Sequence, residues 1–348
     1  MDKEQRILYP DMLRTSAAFA VVMRHIAELG IAGSEGLFDR QASCIYQTAC
    51  IWSVPCFFMI SGMLFLSPER KRPFSKILSG NFVRMCLLFL FWNIFYFAFA
   101  GASGTGFNPS LIGRIAIKAC SLTFAGNCFF HLWYIPAAAG LYLISPLLKA
   151  VLSKMPLKAA GAISAAIFLL SASALAFQWP AAVTSAIAVL GYVCLFALGS
   201  ILDRADIKGT MLNSFYIAGI LGLACSILIH LGYHGFMTSG LPGSLHIDYV
   251  MPGNVLTASA IFLFFKNNAD RLKIAHEHKK MITLCSSLTL GIYILHILSI
   301  FAIRMVAPEF IAEAPAVTVP AVSIMAFAMS AGAAFALKKI PIFGKYML

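Results

Sequence analysis

Charge is scarce in this 348-residue chain: Asp, Glu, Lys and Arg make up 11% of it, and only 14 residues are acidic. A soluble domain carries about a quarter of its residues charged, so a water-facing surface over the whole chain is excluded. There is no C-x-x-C pair and no His/Cys cluster at metal-ligand spacing, so no metal site is expected. The nine cysteines fall mostly within apolar runs, as small packing residues. Cys120 and Cys128 are the pair for which a disulfide stays open. No glycine-rich phosphate loop, internal repeat or low-complexity tract is present. The non-spanning stretches, about 102–129 and 266–283, are too short for a globular domain. Residues 1–348 therefore read as a single transmembrane domain with no separate soluble part. The opening MDKEQR carries both signs of charge with no small-residue cleavage site after it, so a cleaved signal is not expected.

What the chain has is apolar sequence: 60% hydrophobic residues and a mean hydropathy of +0.84. Stretches long enough to span a bilayer lie at about 12–32, 44–66, 82–101, 130–152, 159–177, 183–202, 212–233, 250–265, 284–306 and 315–337, the eighth being short. The expected fold is an all-α integral membrane protein of about ten transmembrane helices. With the N-terminus inside, all of the 26 Lys and Arg except Arg24, Arg40, Arg114, Lys118 and Arg304 fall on the inner side. That distribution places both termini in the cytoplasm. The net charge of +12 then needs no nucleic acid as partner; it anchors the chain against anionic membrane lipids. Residues 110–125 (SLIGRIAIKACSLTFA) read as an amphipathic helix on the outer interface.

Against that apolar background, ionisable residues within spans mark function. Each costs about 2.5–3.5 kcal/mol on insertion scales and faces a protein interior or a wet cavity. Arg14 and His25 lie eleven residues apart on the first span. At about 100° per residue they share a helix face, about 16 Å apart along the axis, and Asp11 sits near the same stripe. The pair reads as a buried polar site; an Arg snorkelling to the headgroups is the plainer reading of Arg14 alone.

Four further segments carry weaker signals. In SVPCFFMISGMLFL, Pro55 disturbs the carbonyl of Ile51 and should kink or open the helix. Ser61 and Gly62 follow, either as a polar point or as an ordinary helix contact. The loop SPERKRPFSK with Arg84 offers cations for phosphate oxygens, or merely topology anchors. In FFHLWY, Trp133 and Tyr134 suit an interfacial aromatic belt, with sugar stacking as a second role for Trp133, while His131 is less routine. In the ninth span Tyr293 and His296 share a face, as a proton relay or as an interhelix bond. His230, His234 and His246 lie near an outer loop without evident partners, and His276 and His278 in a solvated basic loop.

Taken in order, Asp11-x-x-Arg14, His25, the VPxFFxISG run from Val54 to Gly62, HLWY at 131–134, ISPLL at 144–148 and LGIYxxH ending at His296 resemble the membrane acyltransferase-3 family, particularly stand-alone O-acetyltransferases of bacterial surface glycans such as enterobacterial common antigen. The resemblance implies an enzyme of the bacterial cytoplasmic membrane. Such an enzyme moves an acetyl or other short acyl group from acyl-CoA to a hydroxyl of a surface polysaccharide or lipid-linked glycan. Acetyl-CoA would be a co-substrate rather than a bound cofactor. His25 would be catalytic, with Arg14 and Asp11 beside it. Arg84, and more loosely Arg72 and Lys76, would meet the donor, and Ser61, His131, Trp133, Tyr293 and His296 would line the pocket. The family often carries more arginines at the start of the third span, where this chain has Lys76 and Asn81. The rival from another class is a multi-span transporter or flippase, which suits broken helices and buried charges. No inverted repeat supports it.

Overall fold

The computed structural model describes residues 8–69, 73–105, 109–235, 248–269 and 276–347, which form helices and no strand. In chain order these are α1 (Tyr9–Gly33), α2 (Leu37–Ala49), α3 (Ser53–Leu66), the short turn α4 (Phe74–Lys76), α5 (Val83–Thr105), α6 (Pro109–Phe124), α7 (Tyr134–Lys154), α8 (Leu157–Ala176), α9 (Ala181–Arg204), α10 (Gly209–Tyr233), α11 (Pro252–Asn268), α12 (His276–Val306), α13 (Phe310–Glu313) and α14 (Pro315–Lys338). Two compact units emerge. One comprises Met1–Pro68 with Lys149–Ala333, the other Glu69–Leu148 with Ala334–Leu348.

Among the described residues, nine helices are long and apolar enough to cross a membrane, one fewer than the ten apolar runs. The difference is α11, which is helical but only 17 residues long. At 1.5 Å per residue it measures about 25 Å, short of a hydrocarbon core of about 30 Å. Helix faces carry large apolar side chains to the exterior, such as Leu169, Val189, Ile217 and Ile220, whereas Asp11, Asn254, Ser286 and His296 are buried. Apolar groups outside and polar groups within is the arrangement expected of a multi-pass membrane protein.

In the first unit, the second apolar run breaks where Pro55 requires it. Helix α2 ends at Ala49, α3 starts at Ser53, and Pro55 sits in the first turn of α3, where its missing N–H costs nothing. Gly62 then lets α3 meet α9: a Cβ there would collide with the Phe196 carbonyl, and one on Gly199 with that of Met59. Gly62 is thus a close-packing point between two helices. Lys266 on α11 donates to the carbonyls of Leu202, Asp203 and Ala205 at 2.7–2.9 Å, satisfying the last turn of α9.

In the second unit, residues Ile77–Phe82 form a π-helical stretch leading into α5. Helix α6 covers the predicted amphipathic segment and packs on α5. The thiols of Cys120 and Cys128 are free, so the disulfide left open by the sequence does not form.

Candidate active site

Helices α1 and α12 pack together, and their contact is built around Asp11. This carboxylate lies in the first turn of α1, where the helix dipole favours negative charge. It is buried, and Ser286 Oγ on α12 donates to its Oδ1 at 2.6 Å. The Arg14 guanidinium stands 4.0 Å from the same oxygen. Asp11 therefore ties the floor of the α1 stripe to a second helix and holds Arg14 by charge.

Toward the Gly33 end of α1, His25 places Nδ1 3.4 Å from Glu28 Oε2, one helical turn on. A carboxylate at Nδ1 fixes the proton there and leaves Nε2 as the basic nitrogen. The ring centroid of His25 lies 5.1 Å from that of His296, with the planes tilted by 32°. His296 is fully buried, and its Nδ1 is 2.6 Å from the Tyr293 carbonyl. A carbonyl only accepts, so that Nδ1 carries the proton. Tyr293 is buried one turn away, its ring centroid 6.1 Å from that of His296. His25 thus faces a protein interior of imidazole and phenol rather than lipid. Of the residues singled out in the sequence, Asp11, Arg14, His25, Tyr293 and His296 meet along α1 and α12. Ser61 is partly buried on α3, beside the Gly62 crossing.

The other candidates lie in the second unit. Arg84 and Lys76 are exposed, and Arg72 lies outside the described residues. His131 is buried among aromatic rings, 4.5 Å from Tyr96 and 5.2 Å from Phe130 between centroids. Trp133 is half-buried. The loop before His131 is held by buried Asn93, which donates to Thr123 Oγ1 at 3.0 Å and the Asn127 carbonyl at 2.8 Å, and accepts from Phe129 N–H at 2.7 Å. Nothing in FWNIFYF marks that Asn in advance, because its partners lie 30 to 36 residues away.

Sequence reasoning also passed over three features of the first unit. Glu28 was legible as an i, i+3 partner of His25. Arg24, counted among the outer anchors, has its Cζ 5.0 Å over the Tyr249 ring. His230 and His234, expected to have no partners, have them. Thr48 Oγ1 donates to the Cys44 carbonyl at 2.8 Å, so His230 Nδ1–H is the donor in the 2.6 Å contact with that hydroxyl. The His230 and His234 Nε2 atoms are 3.0 Å apart, with His234 donating. His246 lies outside the described residues, and His278 is exposed.

A cavity of about 470 Å³ opens between α8, α9, α10 and α11, lined by Phe168, Leu198, Met211, Phe215 and Val255 among others. Its walls are mainly apolar and include none of the α1 stripe.

Comparison with known proteins gives a family and nothing nearer. No curated protein and no solved structure matches the chain. A family model described as an acyltransferase domain matches residues 7–337, from just before α1 into the last turn of α14, and the chain therefore belongs to the acyltransferase-3 family.

Proposed function

We propose that this membrane acyltransferase moves an acetyl or other short acyl group from cytoplasmic acyl-CoA to a hydroxyl of a surface polysaccharide or lipid-linked glycan. The observation that carries this reading is His25: an imidazole inside a spanning helix, with a carboxylate at Nδ1 and a buried imidazole beside it. Such a ring is suited to take a proton from an alcohol at Nε2 while Glu28 stabilises the imidazolium that results. The alcohol oxygen bonds to the thioester carbonyl carbon and gives a tetrahedral oxyanion. The C–S bond then breaks, the ester is released, and the departing thiolate takes the proton back from the imidazolium. Arg14, held by Asp11, supplies positive charge on the same stripe for the donor or the developing anion.

The donor phosphates are assigned to Arg84, with Arg72 and Lys76 in support, because guanidinium and ammonium groups suit phosphate oxygens. The Arg14 end of α1 faces the cytoplasm in this reading, following the distribution of Lys and Arg, and the membrane is the bacterial cytoplasmic one. The acceptor approaches from the opposite face, toward His296 and Tyr293. Membership of an acyltransferase family favours this reading over a transporter.

The test uses the full chain in lipid nanodiscs with acetyl-CoA, reading thiol release. His25→Ala is expected to lower turnover by about 10²–10⁴-fold while acetyl-CoA still binds. Undiminished turnover would remove His25 from the mechanism. Mass spectrometry of surface glycans, with and without the protein, then reads whether an acyl increment is lost.

A further inference from the structure

Arg24 immediately precedes His25, so the two side chains leave α1 about 100° apart at nearly the same depth. Its Nη1 is buried and has no hydrogen-bond partner among the described residues. Its Cζ lies 5.0 Å over the Tyr249 ring. Of the carboxylates nearby, Glu28 lies within range of the Arg24 charge, but the closest contacts are made to other groups. Glu28, four residues on, directs Oε2 to His25 Nδ1 at 3.4 Å. Asp248 Oδ1 accepts from the Tyr192 hydroxyl at 3.3 Å.

The walls around Arg24 are set without any ligand. Asn254 donates to the Asp248 carbonyl at 2.7 Å and accepts from Ser226 at 2.7 Å, which pins the segment leading into α11. Val250 packs onto Gly191 of α9, at a point where a Cβ would meet its side chain at 2.8 Å. Tyr249 is thereby held under Arg24 of α1, and Asp248 against Tyr192 of α9. A guanidinium inside a membrane protein, stacked on an aromatic ring with its Nη1 unbonded, is a preorganised receptor for an oxyanion. Asp248 and Tyr192 beside it supply an acceptor and a hydroxyl of the kind that recognise sugar hydroxyls.

We infer that Arg24, stacked on Tyr249, binds a carboxylate or phosphate carried by the acceptor while Tyr192 and Asp248 meet its sugar hydroxyls, so that the acylated glycan is an acidic one. This rests on the acyl-transfer reading and specifies its acceptor. An anion fixed next to His25 also selects which hydroxyl reaches Nε2.

Calorimetry on the full chain in phosphatidylcholine nanodiscs, which carry no anionic lipid to compete, tests it with glucuronate, glucose 1-phosphate and glucose. The wild type should bind at least one anionic sugar about tenfold or more tightly than glucose, the lower range for a charge-assisted bond. Tighter glucuronate identifies a carboxylate, and tighter glucose 1-phosphate a phosphate. Arg24→Gln should bring the anionic-to-neutral ratio near one, and Arg24→Lys should keep part of it. No preference in the wild type, or a preference untouched by Arg24→Gln, overturns the assignment; the wild-type ratio decides the matter even if the Gln variant does not fold. Acetyl-CoA turnover in the wild type and in His25→Ala is measured separately. Its failure would sink the acyl-transfer reading and leave the anion site standing.

Discussion

Ser286→Ala isolates the bond that joins α1 to α12. The hydroxyl lies 2.6 Å from Asp11 Oδ1, in the range of a charge-assisted O–H···O⁻ bond. Both residues are buried, so water does not replace the lost donor freely. Hydrogen bonds to charged groups contribute about 1.5–3 kcal/mol in soluble proteins. Those measured between helices in a bilayer average about 0.6 and reach about 1.7 kcal/mol. The charge on Asp11 argues for the upper end of the membrane range, so the expected loss is about 1.5 kcal/mol. Arg14, 4.0 Å from the same oxygen, is too far to substitute for the hydroxyl. The assay is a double-mutant cycle with Asp11→Ala, which removes the acceptor altogether, read by the unfolding equilibrium of the purified protein in detergent. If the bond exists as described, Ser286→Ala costs little once the carboxylate is gone, and the coupling is close to the single-mutant loss. Additive effects to within about 0.5 kcal/mol would refute the reasoning, because independent sites add.

Two further outcomes follow from the same geometry. Glu28 is 59% exposed at its side chain, so its attraction for His25 at 3.4 Å is that of a solvent-screened pair, worth about 1 kcal/mol. Glu28→Gln should therefore lower kcat for thiol release from acetyl-CoA about fivefold, and an unchanged kcat would exclude Glu28 as the group that orients the ring. At Cys128, burial pushes the thiol up to about 11, so its thiolate is present above that pH and scarce below it. At about pH 7.5 maleimide labelling should run about 300-fold slower than at an ordinary thiol and rise about tenfold per pH unit up to about 11. Mass spectrometry of labelled peptides reads this, and labelling at the ordinary rate would contradict the burial.

The sequence by itself determined what depends on near neighbours. Apolar runs located the spanning helices, because a bilayer forces a helix to be about twenty apolar residues long whatever packs beside it. Pro55 announced the break between α2 and α3, since a missing N–H acts on its own turn. Helical periodicity put Asp11, Arg14 and His25 on one stripe, and it equally contained Glu28 and His234, which spacing alone does not rank above other i, i+3 and i, i+4 pairs.

Tertiary structure decided which of these residues have partners across the fold. Ser286 reaches Asp11 over 275 positions, and His296 comes to His25 from the same distant helix. Arg24 looked like an outer anchor until the chain returned at Tyr249 to lie under it. The run VPxFFxISG signalled something at Gly62, and only the crossing with α9 made it a contact between backbones. Within a membrane, helices gain little by hiding apolar surface from one another, so their meeting points are set by small residues and a few polar bonds. Those bonds join residues far apart in the chain, and no local pattern in one sequence specifies them.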